Sequence, residues 1–387
     1  TPIEQIAADF ARVVSTECAA LDIPVPIVAI EPGRVIVGPS TVTLYEVGTT
    51  KDVLVEGADV RTYVSVDGGM SDNVRPALYG ADYTVRIANR TSDADAARAI
   101  HAEGIDILVD LKGYTFHARP EILALRPAPV QVSYLGYPGT MGAPFMDYLV
   151  GDRFVTPHAD AAHYSEKLVL MPHSYQVNDR RRPAGAVLSR GALGLPESAC
   201  VLCCFNQSYK ILPEVFAIWM RIMKGVPGSI LWLLEWNASS PHNLRREAGR
   251  HGIDPARLFF SPLAPLATHL GRMRLADLFL DTMPVNAHTT ASEALWAGLP
   301  VLTCRGETFA SRVAGSLLHA AGLPQLVTRS LAEYEALAVR LAATPGALGG
   351  LRTALQEGRD SADLFDTPRF VRGLESAYDR MWRTYVS

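Results

Sequence analysis

Five apolar runs alternate with five segments of helical period between residues 198 and 328. The runs are "ACVLCCF", "SILWLLEW", "RLFFSPL", "LADLFLD" and "PVLTC". Between and after them come "LPEVFAIWMRIMKGV", "PHNLRREAGRHG", "PLATHLGRMR", the segment opened by "HTTASEALWAG", and "SRVAGSLLHAAG". Short runs that are apolar throughout suit strands covered on both faces, and helices between them supply the cover. The alternation predicts a parallel, doubly wound α/β sheet. In such sheets ligands bind beyond the carboxyl ends of the strands. Three polar loops fall at that edge: "FNQSYK" (205–210), "SPLAPLATH" (261–269) and "VNAHTTASE" (285–293).

The third loop admits two readings. Thr290-x-x-Glu293 fits a capping box, in which each side chain satisfies a free backbone N–H at a helix start. The cluster of His288, Thr289 and Thr290 also fits an anion site, because a helix N-terminus offers unpaired donors and partial positive charge. Three polar loops at one sheet edge favour a site, and spacing alone leaves both readings open.

The rest of the chain differs in texture. Residues 1–92 hold 7 Lys and Arg against 12 Asp and Glu, whereas residues 93–387 hold 29 against 28. All ten histidines follow residue 100. "IEQIAADFARVVSTECAAL" (3–21) has a helical period, and Val-rich, turn-punctuated strand follows it. From Asp93 the rhythm becomes alternating, with a helix in "DADAARAIHAEG" and strands in "IDILVDL" and "PVQVSYL". The predicted division is therefore 1–92, 93–194 and 195–387. A net charge of −4 gives no electrostatic footprint for nucleic acid. No apolar run is long enough for a membrane helix, and no signal segment opens the chain, which starts at Thr1 as a fragment would. Five cysteines, an odd number, suit a reducing, cytoplasmic setting. Cys200 and Cys203 form a C-x-x-C inside an apolar strand and are expected to be buried thiols rather than metal ligands.

From about residue 96 to 387 the chain resembles the catalytic region of the protein O-GlcNAc transferases, glycosyltransferase family 41. The stretches that carry the resemblance are "LVDLKGYTFHARPEILALRPAPVQVSYLGYPGTMGAPFMDYLVGD", "YSEKLVLMPHSY", "FNQSYKILPEVFAIWMRI", "LWLLEWN", "FFSPLAP", "HTTASEALWAGLPVLTCRGETFASRVAGSLL" and "LFDTPRF", in family order. It implies a GT-B fold and inverting transfer from UDP-N-acetylglucosamine to Ser or Thr hydroxyls of a peptide or protein. It implies neither cofactor nor metal. Carried over by motif, Lys210 and His288 are the catalytic donors beside the diphosphate, with Thr289 and Thr290 on its oxygens. Glu293 faces the ribose, Gln207 binds the donor, and Tyr209 lies near the sugar. His269 stacks on uracil with Arg272 beside it, and Leu135 and Gly136 line the sugar pocket.

The chain departs from the family pattern in places. Glu293 stands where the family has Asp, and Leu266 where it commonly has Lys. No 34-residue repeat precedes the catalytic region, and the first part of the N-terminal lobe, which carries family histidines near acceptor and sugar, is replaced. In its place "VAIEPGRVIVGPSTVTLYEVGTTKDV" and "YVSVDGGMSDNVRPALYGADY" resemble diaminopimelate decarboxylase. Gly33, Arg34, Arg75 and Tyr79 match that enzyme's phosphate and substrate contacts, without the strand that bears its Schiff-base lysine. The expectation is a composite: a mostly β N-terminal segment, a truncated N-terminal lobe and a complete nucleotide-sugar lobe. Two alternatives stand beside the transferase, a UDP-binding module without transfer and a pyridoxal-phosphate decarboxylase.

Overall fold

The computed structural model describes residues 3–20, 47–54, 60–66, 92–183 and 185–387. The chain divides into two compact units, Thr1–Asn89 and Arg90–Ser387. In the first, helix α1 (Ile3–Ala20) precedes an antiparallel pair, β1 (Val47–Leu54) and β2 (Val60–Val66). Gly33, Arg34, Arg75 and Tyr79 lie outside the described residues.

The second unit opens with α2 (Asp93–Ala102), whose N-cap Ser92 accepts the Asp95 N–H at 3.0 Å. Four parallel strands follow: β3 (Ile107–Asp110), β4 (Val130–Tyr134), β5 (Tyr148–Asp152) and β6 (Lys167–Met171). They lie in the sheet in chain order. A second parallel sheet is built from β7 (Val201–Cys204), β8 (Ile230–Leu234), β9 (Leu258–Ser261), β10 (Leu278–Leu280), β11 (Val301–Cys304) and β12 (Val327–Thr328). Its helices are α3 (Pro213–Gly225), α4 (Ser239–Arg250), α5 (Leu266–Met273), α6 (Thr289–Trp296) and α7 (Val313–Ala320). Each follows the apolar run expected to precede it. Two parallel sheets of this kind bear out the α/β reading.

The strand order of the larger sheet is β12-β11-β10-β7-β8-β9. The chain therefore starts in the middle at β7, winds outward through β8 and β9, then crosses to β10 and winds the other way. The reversal leaves a crevice beyond the carboxyl ends of β7 and β10, the place where doubly wound sheets take their ligands. The four-stranded sheet has no such reversal.

Strands β7, β8, β10 and β11 are buried along their whole length, which is why their sequences show no polar alternation. Cys203 and Cys204 are wholly buried within β7, and burial pushes both thiols up; all five cysteines are free. Trp219 and Trp232 are the largest fully buried side chains among the described residues. The indole N–H of Trp219 donates to the Tyr334 hydroxyl at 3.1 Å, and that hydroxyl donates to the Asp281 carbonyl at 3.1 Å. A buried polar chain is thereby satisfied throughout.

Asp152, at the end of β5, ties the two sheets together. Its carboxylate accepts the Tyr175 N–H at 2.8 Å and the Ser316 hydroxyl of α7 at 2.6 Å. The last helix, α8 (Thr367–Val386), returns to the four-stranded sheet, and its Phe370 ring lies 6.5 Å from that of Tyr134. Among the described residues no helix is long and apolar enough to cross a membrane.

Candidate functional site

The crevice between β7 and β10 holds a cavity of about 330 Å³. Gln207, Lys210, His269, Arg272, His288, Thr289 and Thr290 all line it, together with Trp236 from the loop after β8. Seven residues singled out in the sequence thus meet in one place, drawn from three loops at one sheet edge. The size suits a small organic ligand, for which pockets begin at roughly 300 Å³.

Asp281 organises the floor. It is the residue after β10 and is wholly shielded from solvent. Its Oδ1 accepts the Thr282 N–H at 2.8 Å and the Ala287 N–H at 2.7 Å, and its Oδ2 accepts the Thr303 hydroxyl at 2.7 Å. Burial pushes its carboxyl up to about 6, against the pull of those hydrogen bonds and of Lys210. Asn206 joins the β7 loop to the β10 loop, donating to the Thr282 hydroxyl at 2.8 Å. The Asn286 side chain closes the turn on the Thr282 carbonyl at 2.9 Å.

Lys210 stands over this floor. Among the described residues its ammonium has one weak hydrogen bond, to the Asn286 carbonyl at 3.4 Å. Burial draws its pKa down, opposed by Asp281. An ammonium held so loosely keeps donors available to a ligand anion.

His288 occupies the N-cap position of α6, with φ −103° and ψ −94°. Among the described residues its buried Nε2 has no hydrogen-bond partner, and a hydrogen bond with the Ala310 backbone fixes the ring. Burial and then Lys210 pull the imidazole down to about 4. The Ala310 carbonyl also accepts the Asn286 N–H at 2.9 Å.

The capping-box reading of Thr290 and Glu293 is corrected here. No side chain caps α6. The helix begins at Thr289, so Thr290 stands at its second position rather than at the cap, and Glu293 is two residues too far along to complete a box. The Glu293 carboxylate turns instead to the Nε2 of His269, 3.5 Å away. Burial pushes its pKa up and Arg182 opposes the shift. The first turn of α6 therefore reaches the cavity with no side chain occupying its N–H donors.

His269 is held on its other side, where Nδ1 accepts the Arg272 Nε–H at 2.9 Å. The Arg272 guanidinium also donates to the Pro262 carbonyl at 2.6 Å and lies over the Phe205 ring, 5.0 Å from its centre. Burial, then Arg272, draws the imidazole down to about 4, so the ring is neutral at neutral pH.

Four of the expected residues stand outside the lining: Glu293, Tyr209, Leu135 and Gly136. Tyr209 is 67% exposed, bonds its hydroxyl to the Gln207 side chain and meets Trp236 edge-on. Leu135 and Gly136 lie at the carboxyl end of β4, in the other sheet. Leu135 holds φ +72°, a left-handed conformation that a branched side chain seldom adopts. A Cβ on Gly136 would sit 2.0 Å from the Leu111 carbonyl oxygen, so only glycine fits that turn.

Asp281, Asn206, Thr282 and Asn286 went unread in the sequence, as did Arg182. Arg182 donates to Asn178 at 2.6 Å and to the Ser292 hydroxyl of α6 at 3.3 Å. Asp281 carried one usable signal, a carboxylate closing an apolar strand; "DRRRP" around Arg182 carried none.

Comparison with known proteins bears on this site. The family described as glycosyl transferase family 41 matches residues 62–184 and 183–374. The first match begins inside the segment read as decarboxylase-like. The chain is 44% identical over 314 residues to the probable UDP-N-acetylglucosamine–peptide N-acetylglucosaminyltransferase SEC of Arabidopsis thaliana, covering 79% of this chain and 32% of that protein. It is 30% identical over 437 residues to the UDP-N-acetylglucosamine–peptide N-acetylglucosaminyltransferase of Caenorhabditis elegans, covering 84% and 38%. The chain thus spans about a third of the length of these relatives. Among solved structures, an O-GlcNAc transferase mutant from Thermobaculum terrenum superposes with TM-score 0.71 at 34% identity, covering 82% of this chain and 60% of that one. Anabaena HepE in complex with UDP and glucose shares the fold, with TM-score 0.53 at 13% identity over 74% and 81% of the two chains.

Proposed function

The chain belongs to glycosyl transferase family 41, and on that premise we propose that it transfers N-acetylglucosamine from UDP-N-acetylglucosamine to a Ser or Thr hydroxyl of a peptide or protein. The observation that carries the reading is the convergence of Lys210, His288, Thr289 and Thr290 on one cavity at the reversal point of the sheet.

The chemistry follows from the leaving group. As the bond between the sugar C1 and the phosphate oxygen breaks, its electron pair stays on the diphosphate, while the acceptor hydroxyl bonds to C1 from the opposite face and its proton passes to solvent or to the departing diphosphate. Donors fixed in advance around the growing charge lower the barrier most. The Lys210 ammonium supplies a full charge there. The uncapped first turn of α6 supplies N–H donors and partial positive charge. Thr289 and Thr290 add hydroxyls, and His288 brings its unpartnered Nε2, which becomes a donor once the ring gains a proton. His269 offers a flat face to uracil with Arg272 beside it, Gln207 binds the donor, and Glu293 accepts from the ribose. Tyr209, Leu135 and Gly136 belong to the sugar side of the site.

The division into 1–92, 93–194 and 195–387 is part of this reading, supported by two separate sheets within the second unit. A cytoplasmic setting is supported by the free cysteines. The decarboxylase likeness of 1–92, and with it a composite chain, rests on sequence motifs alone; the family match from residue 62 weighs against a seam as late as 92.

Calorimetric titration with UDP, followed by a transfer assay from UDP-N-acetylglucosamine to peptide on the same sample, tests the proposal. Binding with transfer supports it. Binding without transfer to peptide or water leaves a UDP-binding module, and no binding removes the donor site altogether.

A further inference from the structure

A second and larger cavity, about 450 Å³, lies beyond the carboxyl ends of β11 and β12. It is lined by Asp160 and His163 from the four-stranded half and by Arg305, Gly306, Glu307, Arg312 and Arg329 from the six-stranded half. The donor reading makes no use of it.

Its basic groups are of two kinds. Arg312 is fixed: its side chain is only 12% exposed, donates to Asp160 at 2.5 Å and to the Gly306 carbonyl at 3.0 Å. Its charge is matched by Asp160. Arg305 and Arg329 are exposed and, among the described residues, neither guanidinium has a carboxylate partner. The parallel register pairs Cys304 with Thr328, and the Arg305 N–H donates to the Thr328 carbonyl at 3.0 Å. The two arginines are therefore the first residues beyond neighbouring strand ends, with backbones about 5 Å apart. Like charges so placed repel one another, and an anion between them removes that cost. Glu333 accepts the Arg329 backbone N–H at 2.9 Å and leaves the guanidinium free. Glu307 brings one opposing carboxylate, so the fixed charge of the cavity is small. It favours one compact dianion over a polyanionic chain.

We infer that this cavity binds a phosphate monoester, held between the forks of Arg305 and Arg329 and backed by the ordered Arg312. A monoester carries close to two negative charges at neutral pH and three oxygens, which match two unneutralised guanidiniums.

Titration of the full chain with phenyl phosphate and with inorganic phosphate, followed by calorimetry and phosphorus NMR, tests the assignment. It is run on the parent, on Arg305→Ser/Arg329→Ser and on Lys210→Ala. Saturable binding of phenyl phosphate, stronger than that of inorganic phosphate, is expected in the parent. It should persist in Lys210→Ala and weaken about tenfold or more in the arginine pair. Should the Ser pair fail to give the parent's thermal transition, Arg305→Lys/Arg329→Lys keeps the charge, loses the forks, and should still weaken the ester. Undiminished affinity in a folded arginine variant overturns the site. So does loss confined to Lys210→Ala, which would put the phosphate in the donor cavity. Absence of saturable binding in the parent overturns it as well, and equal or tighter binding of inorganic phosphate overturns the ester assignment.

Discussion

His269 presents its Nε2 to the Glu293 carboxylate at 3.5 Å. Because Nδ1 already accepts from Arg272, the ring proton resides on Nε2 and faces the carboxylate. A neutral imidazole joins two helices, α5 and α6, beside the cavity beyond β7 and β10. No charge pair is needed for that, and none forms at neutral pH, since burial holds the imidazole down at about 4.

Acid should therefore loosen the fold. His269 and His288 both stand at about 4, and in the unfolded chain both protonate near 6.5. Between those values the unfolded state binds more protons, so their contribution is complete above about 6.5 and is lost as pH falls toward about 4. Asp281 acts oppositely: raised to about 6, its contribution is present below 3.8 and lost as pH rises through about 6. Two imidazoles outweigh one carboxyl. Urea midpoints at pH 5 should lie below those at pH 7.5, and His269→Gln/His288→Asn should narrow the gap. An unchanged gap in that variant would remove the histidines as its source.

Lys210→Ala should weaken UDP binding by about 1.5–3 kcal/mol, the range of a charge-assisted hydrogen bond. Among the described residues its ammonium makes one 3.4 Å bond, to the Asn286 carbonyl, so the thermal transition should stay close to the parent's. Calorimetry and a melting scan on the same sample check both halves.

Thr290→Ala should cost well under the ~1 kcal/mol of a lost helix cap, because no side chain caps α6. UDP should raise the melting temperature of the parent by mass action, and Thr289→Ala/Thr290→Val should abolish most of that rise. Glu293→Gln should keep part of it, since the amide retains one acceptor oxygen. A full rise in both variants would take the phosphates away from α6.

Gly136→Ala should destabilise the chain by about 2–3 kcal/mol, as overpacking against fixed backbone does. The added methyl meets the Leu111 carbonyl at 2.0 Å, and no side-chain rotation relieves it. Denaturant melts measure the loss; a neutral result would mean the turn between Tyr134 and Tyr137 yields more easily than its geometry implies.

The strands and helices of 198–328 are legible in the sequence because strands covered on both faces leave unbroken apolar runs. The sheet edge is legible with them, and seven of the residues that line the cavity beyond it were singled out from the sequence, by motif. The cap is not. A capping box is a spacing rule, and it cannot tell which residue leaves the helical φ/ψ; here His288 does, two residues earlier than the spacing suggested. The floor is not legible either. Asn206 meets Thr282 across 76 residues and Arg182 meets Ser292 across 110, so nothing local marks either pair. Leu135 hides its left-handed backbone because the sequence has neither Gly nor Asn there to announce it.

The Ala310 carbonyl, which holds the Asn286 N–H at 2.9 Å, belongs to a stretch of chain whose two ends, Arg305 and Arg312, border the larger cavity. One short segment is thus wall to one chamber and backing for His288, which lines the other. Free energy carried through such a wall runs equally in both directions: by whatever factor an occupant on the arginine side alters the affinity for nucleotide, the nucleotide must alter the affinity for that occupant.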